Sequence, residues 1–280
     1  MKRPLRFTVY LLLCCAVIPS QAQEKSEINT PTHRAWDLLT TAIFSKNIVD
    51  RTNGVRALGL LRDDARAREY AEYALDDPKP EVRSAAATAL GQMHAIDSIP
   101  KLRGTLNDRK IPVVIAAAQS LRLLQDEEAA YVVYYELLTG ERKSSDGLIA
   151  QQIETLKNPR ELAKIGFSEG IGYIPFAGIG WDAYRTMHKK DPNPVRAVAA
   201  TFLAHDPDPA TSKALVKAVN DKDWIVRAAA IEAIAQRGDA SLLPKVEPKF
   251  KDKHPKVRYS AAAAVIRLSK EEQEKTAKAP

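Results

Sequence analysis

The sequence repeats itself with a period of about 31 residues, and this period constrains the fold more than any other feature. Residues 77–90 read DPKPEVRSAAATAL, and residues 108–121 read DRKIPVVIAAAQSL. Two further copies begin at Asp221 and Asp252. A unit of this length cannot bury its apolar residues alone, so we expect neighbouring units to stack around one elongated core.

Each unit joins a turn to an alanine-rich helix. The Asp and nearby prolines end one helix and begin the next, because proline fixes φ and cannot continue a helix. The alanines that follow allow close approach between neighbouring helices. An arginine recurs near the start of this helix, and in three units an Asp lies six residues before it. We interpret these residues as a structural Asp–Arg ladder formed across each turn; the arginines are Arg51, Arg83, Arg196, Arg227 and Arg258.

The pattern Asp-x4-Val-Arg-x-(Ala)n-Leu/Ile in these segments resembles the HEAT repeat family, in particular the short bacterial HEAT-like repeats also found in phycobilin lyases. The resemblance implies an all-α fold, an α-solenoid of about six to seven HEAT-like helix pairs with one glycine-rich insertion. The expected pairs cover 33–62, 64–93, 95–125, a degenerate 127–157, 180–205, 208–237 and 239–269. The chain then divides into N-terminal repeats 33–157, an insertion 158–179, C-terminal repeats 180–269 and a charged flexible tail 270–280.

The N-terminus is typical of a secretory signal peptide. Three basic residues precede the apolar stretch 7–18, and small residues at Ser20 and Ala22 form a cleavage site. We therefore expect residues 1–22 to be removed, 23–32 to form a linker, and the protein to reach the periplasm or the medium. Cys14 and Cys15 would leave with the signal, which excludes disulfides and thiolate chemistry. Lipidation at either cysteine is an alternative fate.

The insertion breaks the period and is rich in glycine and aromatic residues. Four interpretations compete for it. The sequence Gly178-x-Gly180-x-x-Ala183 is a weak dinucleotide fingerprint, because no βαβ unit surrounds it. The four-residue glycine spacing within 165–181 is similar to membrane glycine zippers, which suggests a membrane-contacting hairpin. A third interpretation is a protein-binding patch made of Phe167, Tyr173, Phe176, Trp181 and Tyr184. The fourth is a close-packed connector that buries these aromatics.

No catalytic constellation stands out, and we predict a protein without enzyme activity, cofactor or metal. None of the five histidines is followed by glutamate, whereas the HEAT-like deoxyhypusine hydroxylases hold iron with His-Glu pairs. His205 and Asp208 come nearest to a ligand cluster, yet they occupy an ordinary turn between repeats. A divergent lyase or metalloenzyme is therefore a minor alternative.

The main hypothesis is an exported scaffold that mediates protein–protein interaction or assembly in the bacterial envelope. Peripheral membrane attachment through 165–181 is the alternative from a different class. The formal net charge of +7 would ordinarily suggest a nucleic-acid partner. Export argues against nucleic acid and leaves a protein partner, with weak contact to anionic membrane surfaces.

Overall fold

A computed structural model describes residues 30–139 and 193–277, and both ranges are built of α-helices and short 3-10 segments without strands. The first range contains α1 (Pro31–Ile43), α2 (Ile48–Ala57), α3 (Ala65–Ala74), α4 (Pro80–Gln92), α5 (Ile99–Thr105), α6 (Ile111–Leu123) and α7 (Glu127–Thr139). The second contains α8 (Asn193–Phe202), α9 (Pro209–Ala218), α10 (Trp224–Arg237), α11 (Leu243–Val246) and α12 (Pro255–Ala277). The α-solenoid predicted from the repeats is confirmed.

Polar caps and prolines set where the helices begin. Thr30 Oγ1 accepts the His33 N–H at 3.2 Å before Pro31 opens α1. Asp64 and Asp208 cap α3 and α9 in the same way, each accepting an N–H at 2.8 Å. These oxygens satisfy backbone donors that the first turn of a helix leaves without partners.

The alanine-rich helices pack side by side, and we call α2, α4, α6, α8, α10 and α12 the row helices. Their alanines are almost completely buried, as in 85–87 and 261–264. At Gly91 a Cβ would lie 2.9 Å from Ser120 Cα on the next row helix. Small residues thus let the backbones approach closely, and buried area comes from many tight contacts rather than a few large side chains.

The order of helices along the row is α8, α10, α12, α2, α4 and α6, so the C-terminal repeats precede the N-terminal ones. Helix α12 packs against α10 on one side and against α1 and α2 on the other. Helices α7 and α8 lie at opposite ends of this row, although they are successive among the described helices.

Polar contacts close this junction between the two halves of the chain. Tyr259 Oη donates to Asp50 Oδ1 at 2.7 Å, and Arg258 lies 3.7 Å from the same carboxylate. Nearby, Arg267 Nη1 donates to the Leu60 carbonyl at 3.1 Å, and Arg34 pairs with Glu247. Each contact joins residues more than 200 positions apart, so the first and last helices form one continuous interface.

The Asp–Arg ladder is present, but its register differs from the prediction that each pair closes one turn. Arg83 Nη1 donates to the backbone carbonyl of Asp77, six residues earlier, at 2.9 Å. Its Nε and Nη2 instead bind both oxygens of Asp108 in the following repeat, at 2.6 and 2.9 Å. A guanidinium has five donors in a fixed fork, so one arginine holds its own turn and the next repeat together. The same inter-repeat pairs are Arg51–Asp77, Arg196–Asp221 and Arg227–Asp252.

The ladder makes stability dependent on pH. Burial alone would raise the pKa of Asp108 and Asp252, but hydrogen bonds from arginine and from backbone N–H groups bring each pKa below the ordinary value of 3.8. A carboxyl whose pKa is lower in the folded state stabilises the fold above the unfolded-state pKa, and this contribution is lost as pH falls through the folded pKa. We therefore expect the urea concentration at the midpoint of unfolding to stay constant between pH 7 and about pH 5, and to decrease once the pH is lower than about 4. A midpoint that stayed constant down to pH 2 would contradict this expectation.

The C-terminal residues differ from the expected flexible tail. Helix α12 continues to Ala277, because glutamate, lysine and glutamine favour helix and no breaker intervenes. Lys270 donates to the Asp63 carbonyl and Lys275 to the Gly238 carbonyl, at 3.2 and 3.3 Å, which ties this end to the repeats. Among the residues described, no helix is long and apolar enough to cross a bilayer.

Candidate interaction surface

The five residues predicted to bind a partner, Phe167, Tyr173, Phe176, Trp181 and Tyr184, lie outside the described residues. The glycine motif at 178–183 and the hairpin 165–181 lie outside them as well. All the interpretations of the insertion therefore stay predictions.

Four aromatic side chains cluster where α1 meets α3, and we call Trp36, Phe44, Tyr70 and Tyr73 the aromatic patch. Trp36 lies on the buried face of α1, and Phe44 is the residue that ends this helix. Tyr70 and Tyr73 are three residues apart on α3, so they share one side of that helix. The packing of α1 against α3 therefore brings residues distant in sequence to one surface.

The rings hold one another in edge-on contacts. The Phe44 centroid lies 5.8 Å from that of Tyr70, with the planes at 86°, and 5.6 Å from that of Tyr73. Trp36 and Tyr70 meet edge to face at 6.3 Å. Such geometry places the positive edge of one ring near the negative face of another, which fixes the rings in place.

Arg66 adds a cation to one side of the aromatic patch. Its guanidinium carbon lies 4.3 Å from the Trp36 ring centroid and 5.5 Å from that of Tyr70. Its Nη2 also donates to Thr40 Oγ1 at 3.4 Å. An arginine over an aromatic face gains cation–π attraction while its charge stays accessible to a partner.

The aromatic patch is apolar, fixed and open to solvent. Phe44 is 53% exposed and Tyr73 is 66% exposed, whereas Trp36 is buried. Aromatic residues and arginine are the types enriched at the cores of protein–protein interfaces. A surface of this composition is suited to contact with another apolar surface.

The sequence analysis missed the aromatic patch, although a signal was present. The position of Tyr73 is occupied by Gly104, Lys217 and Pro248 in the equivalent places of other repeats. A residue that serves stacking should recur with the period, whereas Tyr73 departs from it. Exposed aromatics that break the repeat pattern therefore mark a site better than the pattern itself.

The turn that holds His205 and Asp208 does not assemble a ligand cluster. Asp208 is the cap of α9, and Asp206 accepts the Thr211 hydroxyl at 2.5 Å. This hydrogen bond is the main reason that the pKa of Asp206 is lowered. Across the described ranges, no group of three or more His, Cys, Asp or Glu side chains is arranged to hold a metal ion.

An open polar cleft of about 370 Å³ lies between α3 and α5, and two of its carboxylates, Glu72 and Asp108, already form ion pairs. Burial would raise the pKa of Glu72, but hydrogen bonds from Lys101 and Ser98 lower it overall. These bonds measure 2.7 and 2.5 Å. Asp108 faces the same cleft and is held by Arg83, so two of the three acids that line the cleft, Glu72 and Asp108, act as structural ion-pair partners.

A match to a protein family agrees with this architecture. The model of the HEAT repeats family matches residues 37–130 and 185–268. A comparison with curated proteins finds no match. Among solved structures, the phycocyanin lyase complex of Nostoc sp. is 20% identical, covers 88% of this chain and 94% of its own, and has a TM-score of 0.34.

Two other solved structures show the same kind of similarity. Human deoxyhypusine hydroxylase is 17% identical over 90% of this chain and 91% of its own, with a TM-score of 0.34. A designed armadillo repeat protein is 15% identical over 82% of this chain and 98% of its own, with a TM-score of 0.26. The assignment rests on the family match, which covers more than half of the sequence, and the chain belongs to the HEAT repeat family.

Proposed function

We propose that the chain is an exported, non-enzymatic scaffold that binds a protein partner in the bacterial envelope through the aromatic patch. HEAT repeats form scaffolds for protein interaction, and the matched repeats cover both described halves. Export is supported by the signal-like residues 1–22.

The observation that carries the binding proposal is the exposure of two fixed aromatic rings in the middle of the stack. Phe44 and Tyr73 contact each other and remain more than half exposed. Burying such rings in a partner yields large apolar area at little conformational cost, because the neighbouring rings already hold them in place. The rigid row beneath the patch supplies the scaffold.

The test is a double substitution, Phe44→Ala with Tyr73→Ala. We expect affinity for the captured partner to fall about tenfold or more, as for aromatic residues at the centre of an interface. Partners are captured by crosslinking in the native envelope and identified by mass spectrometry, and affinity is then measured with the purified partner. Circular dichroism melting of the variant verifies that the fold is kept.

A matched control substitutes another exposed aromatic pair, Tyr131→Ala with Tyr135→Ala on α7. These rings are 67% and 48% exposed and lie 6.2 Å apart, so the control removes similar aromatic surface. The control variant should keep the partner. Loss of partner binding in the control but not in the patch variant would contradict the proposed site. Loss of partner binding only after Phe176→Ala with Trp181→Ala would place the binding site in the insertion instead.

A further inference from the structure

Five turns that lead into row helices each expose one cation at an equivalent place. Lys46, Arg109, Lys222 and Lys253 follow directly after the Ser or Asp that closes the turn, and Lys79 follows one residue later. None of these five side chains forms an ion pair within the two described ranges. The charges therefore remain available to solvent or to a ligand.

The turns share one hydrogen-bonding pattern, which fixes the backbone that carries these cations. In every turn a side-chain oxygen accepts the backbone N–H two residues later, at 2.8 to 3.1 Å; the acceptors are Ser45, Asp77, Asp108, Asp221 and Asp252. Three of the lysines have a second restraint. In the turns of Lys46, Lys222 and Lys253, the arginine of the same repeat donates to the backbone carbonyl of the lysine and to that of the residue before it. Arg227, for example, donates to the carbonyls of Asp221 and Lys222.

The acidic residues of these turns do not cancel the cations. Asp77, Asp108, Asp221 and Asp252 are each paired with the arginine of the preceding repeat, so their charge is already compensated. Exposed acids flank only the Lys79 turn, at Asp76 and Glu81. The edge of the stack formed by these turns is consequently positive.

The order of the row makes the cations continuous across both halves of the chain. Following the helices, they succeed one another as Lys222, Lys253, Lys46, Lys79 and Arg109. Packed helices lie about 8–10 Å apart, so neighbouring cations are separated by roughly that distance. We call this set the cation row.

We propose that the cation row binds an extended acidic segment of the protein partner. In a peptide extended in the polyproline II conformation, which has three residues per turn, every third side chain lies on the same face and advances by about 9 Å, which matches one repeat of the row. Nucleic acids use an aromatic platform for successive bases, and this row does not repeat one from turn to turn. Trp224 is already stacked on His254 at 3.7 Å, and Phe44, beside Lys46, is held by Tyr70 and Tyr73. This inference rests on the proposed function, because it takes the partner to be a protein.

The test uses the exported full chain and a fluorescently labelled synthetic peptide with glutamate at every third residue. The row variant carries Lys253→Gln, Lys46→Gln and Lys79→Gln. The control variant carries Lys213→Gln, Lys245→Gln and Arg62→Gln, which removes three exposed cations outside these turns. Both variants lose the same net charge, so a difference in anisotropy titrations reports the location of the charges.

We expect the row variant to bind the peptide about tenfold more weakly at low salt, and the control variant to change less than about threefold. Equal weakening in both variants would overturn the proposal, because net charge alone would then explain binding. Row-dependent binding of an anionic glycan or of anionic vesicles, without binding of the peptide, would overturn it as well. The Phe44→Ala, Tyr73→Ala variant should bind the peptide like the wild type, so that failure of the aromatic patch and failure of the row are distinguishable.

Discussion

Replacing Arg227 with alanine is expected to lower the free energy of unfolding by about 3–5 kcal/mol, because the change leaves a buried carboxylate without its partner. Arg227 and Asp252 are 7% and 8% exposed, and two parallel hydrogen bonds of 2.8 and 2.9 Å join them. The same guanidinium also donates to the carbonyls of Asp221 and Lys222. The substitution therefore loosens a turn and an inter-repeat contact at once.

Arg196 provides the matched control for this prediction. It occupies the same position of its repeat and pairs with Asp221, but its side chain is 45% exposed. Water and salt screen an exposed pair, so Arg196→Ala should cost less than about 1 kcal/mol. Urea denaturation followed by circular dichroism measures both variants. Equal costs would show that burial does not govern the strength of the ladder.

The repeat units could be predicted from the sequence because their signals are local. Prolines, capping acids and alanine runs act within one or two turns of helix, and the helices form where these residues indicate. The register of the ladder was predicted wrongly for a related reason. Within one unit Asp77 is the acid that recurs six residues before the arginine, whereas the stack brings Asp108 of the next repeat to the Arg83 guanidinium.

The order of the stack could not be predicted, because the repeats are alike. Any repeat offers an apolar face to any other, so the period does not specify which units become neighbours. Which repeats become neighbours depends on particular contacts, such as Tyr259 with Asp50 and Arg34 with Glu247. No short sequence motif predicts these contacts. The aromatic patch was missed for the complementary reason, since it forms only after α1 and α3 pack together.

The order also links the two ends of the sequence in folding. The apolar face of α1, which includes Trp36 and Leu39, packs on α12. The first helix therefore completes its burial only when the last helix is available. Both the aromatic patch and the cation row depend on this closure, because Phe44 and Lys46 lie in the turn just beyond α1.

Chemical crosslinking of introduced cysteines tests this order most directly, since the chain without residues 1–22 contains no other cysteine. One variant carries Arg34→Cys with Glu247→Cys, at positions that form an ion pair and are 40% and 30% exposed. The other carries Tyr135→Cys with Phe202→Cys, on α7 and α8, which lie at opposite ends of the row. Along the row these helices are separated by roughly 40 Å, given 8–10 Å for each packed helix.

The measurement is the yield of intramolecular crosslink with a short bismaleimide at low protein concentration, read by mass spectrometry. The account predicts nearly complete crosslinking of the 34/247 pair and almost none of the 135/202 pair. Crosslinking of the 135/202 pair with none at 34/247 would contradict it, because α12 would then not lie beside α1 and α2, and the cation row would be interrupted between Lys253 and Lys46.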